Sequence, residues 1–347
     1  MWHRIRYFKS MKRRGFIYKT AGLALGAYAL SSFQEVLSEP SKKPKGLIKG
    51  DLIGITGPAG SIWNKAHIQK IQDILEGLGF RTTLGATLYE QDGFLAGNDE
   101  MRAKELMEMF ENKSIRAILT MRGGWGCARI LDKLDYAVIA ENPKIVMGFS
   151  DITSLVNAIY SKTGLVTYHG PCGYSSWGDF TTDHVIKSVV VGKPYVMENP
   201  ADNLADLKTW SSGKASGKLV GGNLTVIVSM VGTEYEPNWS NKILFLEEIK
   251  EEPYRVDRML WQLKQAGVFQ KISGLVLGSF RKCTPEEPEK SFTLEEIFEQ
   301  HFSAVPFPVY QGASFGHITP KFTLPIGVLA EMDAEKFTLT TLEKSVV

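Results

Sequence analysis

Three apolar runs in the first half of the chain each end in a glycine turn, and each turn leads into a helical pattern. Leu52-Ile53-Gly54-Ile55-Thr56 runs into Gly57-Pro58-Ala59-Gly60, Ile115 to Thr120 into Arg122-Gly123-Gly124-Trp125-Gly126, and Lys144 to Met147 into Gly148-Phe149-Ser150-Asp151. Runs this short, bounded by glycine, read as buried strands. Between them Ile68, Ile71, Ile74, Leu75 and Leu78 recur at helical spacing, closed by Gly79. Further helices are predicted over Asp99 to Asn112, Ala128 to Leu134 and Ile152 to Tyr160, and further strands over Arg81 to Leu84 and Leu165 to Tyr168. Strands alternating with helices demand crossover connections, hence a mainly parallel sheet in an α/β fold. Ligands of such sheets bind outside the carboxyl ends of the strands, so the three turns are expected to face one crevice.

From about Pro171 to Gly217 the periodicity weakens, and one helix is expected near Asp183 to Val191. A second unit begins near Lys218. Gly221-Gly222-Asn223-Leu224 precedes a helical run, Ile243 to Leu246 reads as a strand ending in Glu247-Glu248, and Pro253 opens a strongly amphipathic helix over Tyr254 to Ala266. Gly274 to Phe280 is a further strand, and Val328 to Met332 with Lys336 to Thr341 a terminal hairpin.

Ser150 is the residue on which chemistry could turn. A serine between a strand and a helix has an exposed hydroxyl beside the free N–H groups of the helix start, as a nucleophile requires. The same position also suits an ordinary helix cap. A nucleophile needs a base and a group to orient it. His317, in the glycine-rich turn Ser314-Phe315-Gly316-His317, and His169, at the end of a strand in Tyr168-His169-Gly170-Pro171, are both open as the base. His67 and His184 fall on helices and are expected at the surface. Glu247 and Glu248 end an apolar strand, where one of two consecutive side chains points inward, and either could orient the histidine. The N–H of Asp151, with Gly123 or Gly124, could form an oxyanion hole. The Gly123 turn lacks the GxGxxG spacing and a following Gly-Lys-Ser/Thr, so a nucleotide site is poorly supported.

The remaining composition narrows the classes. A net charge of +2, without a basic stripe, gives no case for nucleic acid as a partner. The three cysteines are widely spaced, and the six histidines include no HxxxH or HExxH, which disfavours a disulfide framework and a metal hydrolase. Arg13-Arg14-Gly15-Phe16-Ile17-Tyr18-Lys19 before the apolar run Ala21 to Leu30 resembles a twin-arginine export signal, with Ala27-Tyr28-Ala29 as a cleavage site. The run is too short for a permanent membrane span. A periplasmic or exported protein is expected, a cytoplasmic one being the alternative. The organisation reads as export signal 1–30, polar linker 31–47, an α/β domain over 48–170 carrying Ser150, a connecting segment over 171–216, and a C-terminal domain over 217–345 carrying Glu247 and His317.

Taken in register, these motifs resemble the LD-carboxypeptidase family of serine peptidases, which includes microcin-immunity peptidases. The resemblance runs from about Gly50 to Leu342. It rests on the Gly57, Arg122, Gly148, Tyr168 and Gly221 motifs, on Leu246-Glu247-Glu248 with Pro253 to Leu260, on Gly278-Ser279-Phe280, and on Gly316-His317 followed by Leu324-Pro325-Ile326-Gly327. It implies a flavodoxin-like, mainly parallel N-terminal domain and a smaller, mixed, β-rich C-terminal domain, with the site between them. It implies a triad of Ser150, His317 and Glu247, with Asp151, Gly123 and Gly124 at the oxyanion; a carboxypeptidase must also bind the free terminal carboxylate, and Arg122 is read as the residue for that role. His169 would then belong to the crevice wall. The implied reaction removes the terminal D-alanine of a murein tetrapeptide, without metal or cofactor, in a protein that is commonly a homodimer. Two alternatives are a related serine peptidase acting on peptide–nucleotide antibiotics or other acyl amides, with Trp125 or Trp177 stacking on a base, and a non-catalytic sugar- or peptide-binding module.

Overall fold

The glycine-ended apolar runs do form a parallel sheet. The computed structural model describes residues 41–347, so the segment expected to be an export signal lies outside the described residues. The first half of the chain runs β1 (Leu52–Thr56), α1 (Ala66–Gly77), β2 (Arg81–Leu84), α2 (Asp99–Glu111), β3 (Ile115–Thr120), α3 (Tyr136–Glu141), β4 (Ile145–Gly148), α4 (Ile152–Thr163) and β5 (Thr167–His169). The remainder runs α5 (Asp179–Ile186), β6 (Val196–Met197), β7 (Lys208–Ser211), β8 (Lys214–Asn223), α6 (Leu224–Met230), β9 (Lys242–Ile249), α7 (Pro253–Gln265), β10 (Gly274–Arg281), α8 (Leu294–Phe302), β11 (Val309–Gln311), β12 (Leu324–Ile326), β13 (Leu329–Asp333) and β14 (Thr338–Thr341).

One sheet has six strands in the order β12-β5-β4-β3-β1-β2. Strands β1 to β5 are all parallel, and β12 returns from far along the chain to close the edge antiparallel to β5. The order 2-1-3-4-5 is the flavodoxin-like order. The other sheet has eight strands, β6-β14-β13-β8-β9-β10-β11-β7. Its centre, β8 to β11, is parallel, and both its edges are antiparallel. This is the mixed, β-rich unit expected from the sequence.

Helix α4, which follows Ser150, links the two sheets. Every residue from Ile152 to Tyr160 is buried, because β4 and β5 cover one side of the helix and β8 and α6 the other. Asn157 Nδ2 donates to Gly221 O at 2.8 Å, and Asn223 N donates to Thr153 Oγ1 at 3.0 Å. Helix α7 shows the opposite pattern. It buries Pro253, Val256, Leu260 and Leu263, a single stripe at helical spacing, and leaves the rest half-buried or exposed.

The structure departs from the sequence expectation in four places. Cys127–Lys133 is a 3-10 segment rather than an α-helix, and α3 follows it unforeseen. The segment over 171–216 carries β6, β7 and the start of β8 besides its helix. Residues 41–45, expected to be unpacked linker, lie against the fold. Lys42 exchanges backbone hydrogen bonds with Gly164 and Val166, and Lys43 pairs with Glu343 at 2.6 Å. His184, expected at the surface, is 3% exposed and packed among Phe180, Tyr195 and Phe322. Among the described residues no helix is long and apolar enough to cross a membrane.

Candidate active site

The carboxyl ends of both sheets open onto one cavity of about 430 Å³. The turn after β3 contributes Arg122, Gly123 and Gly124, the turn after β4 Phe149 and Ser150, and the segment after β5 Cys172 and Tyr174. From the other sheet come Ile249 at the end of β9, Arg281 at the end of β10, and His317 and Lys321 from the loop between β11 and β12. A groove of similar size, about 490 Å³, lies near the start of α7 and contains none of the sequence-predicted site residues.

Ser150 has φ 65°. This left-handed conformation disfavours any residue with a Cβ, and it turns the serine out between β4 and α4. The serine side chain does not cap the helix. Asp151 holds the cap position without a side-chain cap bond, and its carboxylate instead accepts from Cys127 N at 2.8 Å. Burial raises the Asp151 pKa against the pull of that bond. Asp151 thus ties the start of α4 to the turn after β3. That turn lies directly against the serine: a Cβ on Gly123 would come within 2.8 Å of the Ser150 Cβ and 3.0 Å of Asp151 N. Only glycine permits the approach that brings these backbone N–H groups beside the serine.

Two carbonyl-rich loops are pinned behind the site by Arg102, which is 0% exposed. Its guanidinium donates to Pro58 O at 2.6 Å, Gly126 O at 2.9 Å and Gly97 O at 3.1 Å, and pairs with Asp99. No local sequence signal distinguishes this arginine from a solvated one on an amphipathic helix.

His317 and Glu247 come from segments 70 residues apart and meet at 2.6 Å through Nδ1 and Oε2. The same oxygen accepts the backbone N–H of His317 at 3.2 Å. Glu247 is fully buried and His317 17% exposed by side chain. Burial alone would raise the Glu247 carboxyl, but the hydrogen bond from His317 and the charges of His317 and Lys321 outweigh it and hold the group below its ordinary value. The ionised carboxylate can only accept, so Nδ1 carries the proton and Nε2 is left as the basic nitrogen. Gly316, at φ 90°, permits the contact, since a Cβ there would lie 2.5 Å from that of Glu247.

The two alternatives left open by the sequence part company here. His169 is 1% exposed, lies edge-on to Phe149, Phe245 and Phe315, and has its pKa driven down to about 4 by burial. It is a neutral wall residue outside the cavity lining. Glu248 is also buried, on the opposite face of β9, where it accepts from Asn223 Nδ2 and from Thr225 N and Oγ1. Arg122 reaches the cavity, donates to Ser61 O at 3.0 Å, and has no carboxylate partner among the described residues. Trp125 and Trp177 do not line the cavity. The sequence reading missed Lys321 and Arg281.

The comparisons agree with this architecture. Residues 53–170 match the LD-carboxypeptidase N-terminal domain and residues 216–332 the LD-carboxypeptidase C-terminal domain. A Bacillus subtilis protein named "probable murein peptide carboxypeptidase" is 39% identical over 298 residues, 85% of this chain and 92% of that one. The microcin C7 self-immunity protein MccF of Escherichia coli is 29% identical, over 86% of this chain and 95% of its own. The crystal structure of muramoyltetrapeptide carboxypeptidase from Oxalobacter formigenes superposes with a TM-score of 0.72 at 29% identity, covering 83% of this chain and 97% of that one. With both domains matched in order, the chain belongs to the LD-carboxypeptidase family and is a hydrolase of the carboxypeptidase class.

Proposed function

We propose that the protein is a serine LD-carboxypeptidase that removes the terminal D-alanine from murein tetrapeptides. The observation that carries this reading is the buried Glu247–His317 pair at 2.6 Å, whose histidine faces the same cavity as Ser150 at φ 65°. Ser150 Oγ attacks the carbonyl carbon of the meso-diaminopimelate residue while His317 Nε2 takes the hydroxyl proton. Glu247 holds the imidazole and stabilises its cationic form. The N–H groups of Asp151 and of Gly123 or Gly124 receive the oxyanion, each donor contributing about 3–4 kcal/mol. Collapse breaks the C–N bond, and His317 passes its proton to the departing D-alanine amine. Water, deprotonated by His317, then attacks the acyl-enzyme, and the proton returns to Ser150.

Arg122 lines the cavity on the Ser150 side, as a cation for a carboxylate of the acyl half of the substrate, such as the side-chain carboxylate of meso-diaminopimelate. The names of the relatives support murein peptide as substrate class. The similarity to MccF supports the alternative of a related peptidase activity, although neither Trp125 nor Trp177 lines the cavity to stack on a base. Two wider features belong to the proposal: export through the Arg13-Arg14 leader, and pairing as a homodimer, which the family resemblance suggests and which light scattering of the purified protein would test. The decisive test of activity is incubation of purified protein with murein tetrapeptide. Release of D-alanine seen by mass spectrometry is expected, and no release from folded protein would refute the reading.

A further inference from the structure

We infer that the Lys321 ammonium anchors the free carboxylate of the departing C-terminal residue, and so makes the enzyme an exopeptidase; the inference rests on the functional reading above. Lys321 is 4% exposed yet lines the cavity. Its Nζ donates to Gly316 O at 2.7 Å and lies 3.9 Å from the centroid of the Phe149 ring. The other two ammonium hydrogens have no protein acceptor among the described residues. A buried ammonium with donors to spare calls for an anion. None of the residues lining the cavity carries a carboxylate; the nearby Glu247 gives Oε2 to His317, and its buried Oε1 interacts with Lys321 through charge alone, without a hydrogen bond.

The direction of proton transfer decides which carboxylate this is. His317 must protonate the leaving amine, so the leaving residue lies beside His317. Its free carboxylate is borne on the same α-carbon as that amine. Lys321 is the cation on His317's own loop, bonded to the carbonyl of the residue that precedes the histidine. Arg122 belongs to the turn whose Gly123 backs onto Ser150 and Asp151, which places it by the oxyanion and the acyl half of the substrate. Arg281, at the end of β10, adds positive charge to the Lys321 wall. Burial also brings the Lys321 pKa down to about 8.

The test compares a murein tetrapeptide ending in D-alanine with the same peptide ending in D-alaninamide. The wild type should favour the free acid by about 10- to 100-fold in kcat/KM, the range of one charge-assisted contact. Lys321→Met should lose that factor on the acid, mainly through KM, with little change on the amide. Lys321→Arg should retain most of the preference, and Arg122→Gln should leave it intact. Equal losses on both peptides in Lys321→Met would reduce Lys321 to a prop for the histidine loop and overturn the inference. So would a preference abolished by Arg122→Gln and kept by Lys321→Met. Should Lys321→Met fail to fold, the wild type still decides. The groups facing Lys321 are Cys172, His169, Glu247, His317 and Arg281. KM for the acid should rise above about pH 8 while KM for the amide does not, and parallel profiles would overturn the inference. Wild-type enzyme that releases D-alanine from the acid and D-alaninamide from the amide equally well refutes the role of Lys321 alone, whereas release from neither refutes the functional reading.

Discussion

Ser150 is held at φ 65° with a Cβ that this region of conformational space disfavours by about 1–2 kcal/mol. Removing its hydroxyl should leave packing untouched, so Ser150→Ala is expected to cut turnover by about 1,000-fold or more with an unchanged melting temperature. Ser150→Gly should be equally inactive yet raise stability by up to about 1 kcal/mol, because glycine takes up the turn without strain. Survival of activity in either variant would show the nucleophile to be misassigned. Glu247 supplies a pH signature. Its folded pKa lies below the unfolded value of 4.5, so its ionised form contributes stability that is complete above 4.5 and is lost as pH falls through the folded value. The difference in unfolding free energy between wild type and Glu247→Gln should therefore be flat at neutral pH and shrink in acid. A constant difference down to pH 3 would contradict an ionised Glu247 hydrogen-bonded to His317. At this scale the sequence placed a carboxylate at the end of β9. It could not say which glutamate faces the histidine, because both faces of that strand are covered and both side chains are buried.

The elements around the site were legible wherever a local rule governs them. The glycine turns after β1, β3 and β4 appear where apolar runs stop, and Pro253 opens α7 as expected. Less legible were segments whose conformation depends on a distant partner. Residues 41–45 take their order from β5 and the C-terminus, and His184 is buried by Tyr195 and Phe322, neither of which a helical wheel contains. Arg102 is the clearest instance, since it fixes the loops after β1 and β3 through carbonyls 44 and 24 residues away. Arg102→Gln cannot satisfy all of these acceptors. It should cost about 3 kcal/mol or more in chemical denaturation and lower kcat more than it raises KM, because the misplaced groups are those for the oxyanion. Unchanged kcat in a destabilised variant would confine Arg102 to a structural role.

Across the whole molecule, the two sheets direct the carboxyl ends of their parallel strands at one cavity, and α4 joins them with a face of its own for each. The expected export signal falls on residues outside those described. Replacing Arg13 and Arg14 by lysine should trap precursor in the cytoplasm, which fractionation would show, and unaltered secretion would refute the twin-arginine reading. The sequence by itself determined the α/β class, the parallel first sheet, the strand–glycine–serine turn and the inventory of reactive side chains, because period, turn chemistry and residue type are local properties. The tertiary structure alone decided which histidine meets which glutamate, drew β12 back to the edge of the first sheet, and left a lysine buried with unspent donors in the cavity wall. Those outcomes depend on loops that close over scores of residues, and on burial that only the packed sheets create. The serine turn could be read from its own neighbours; its chemistry depended on what folding brought to face it.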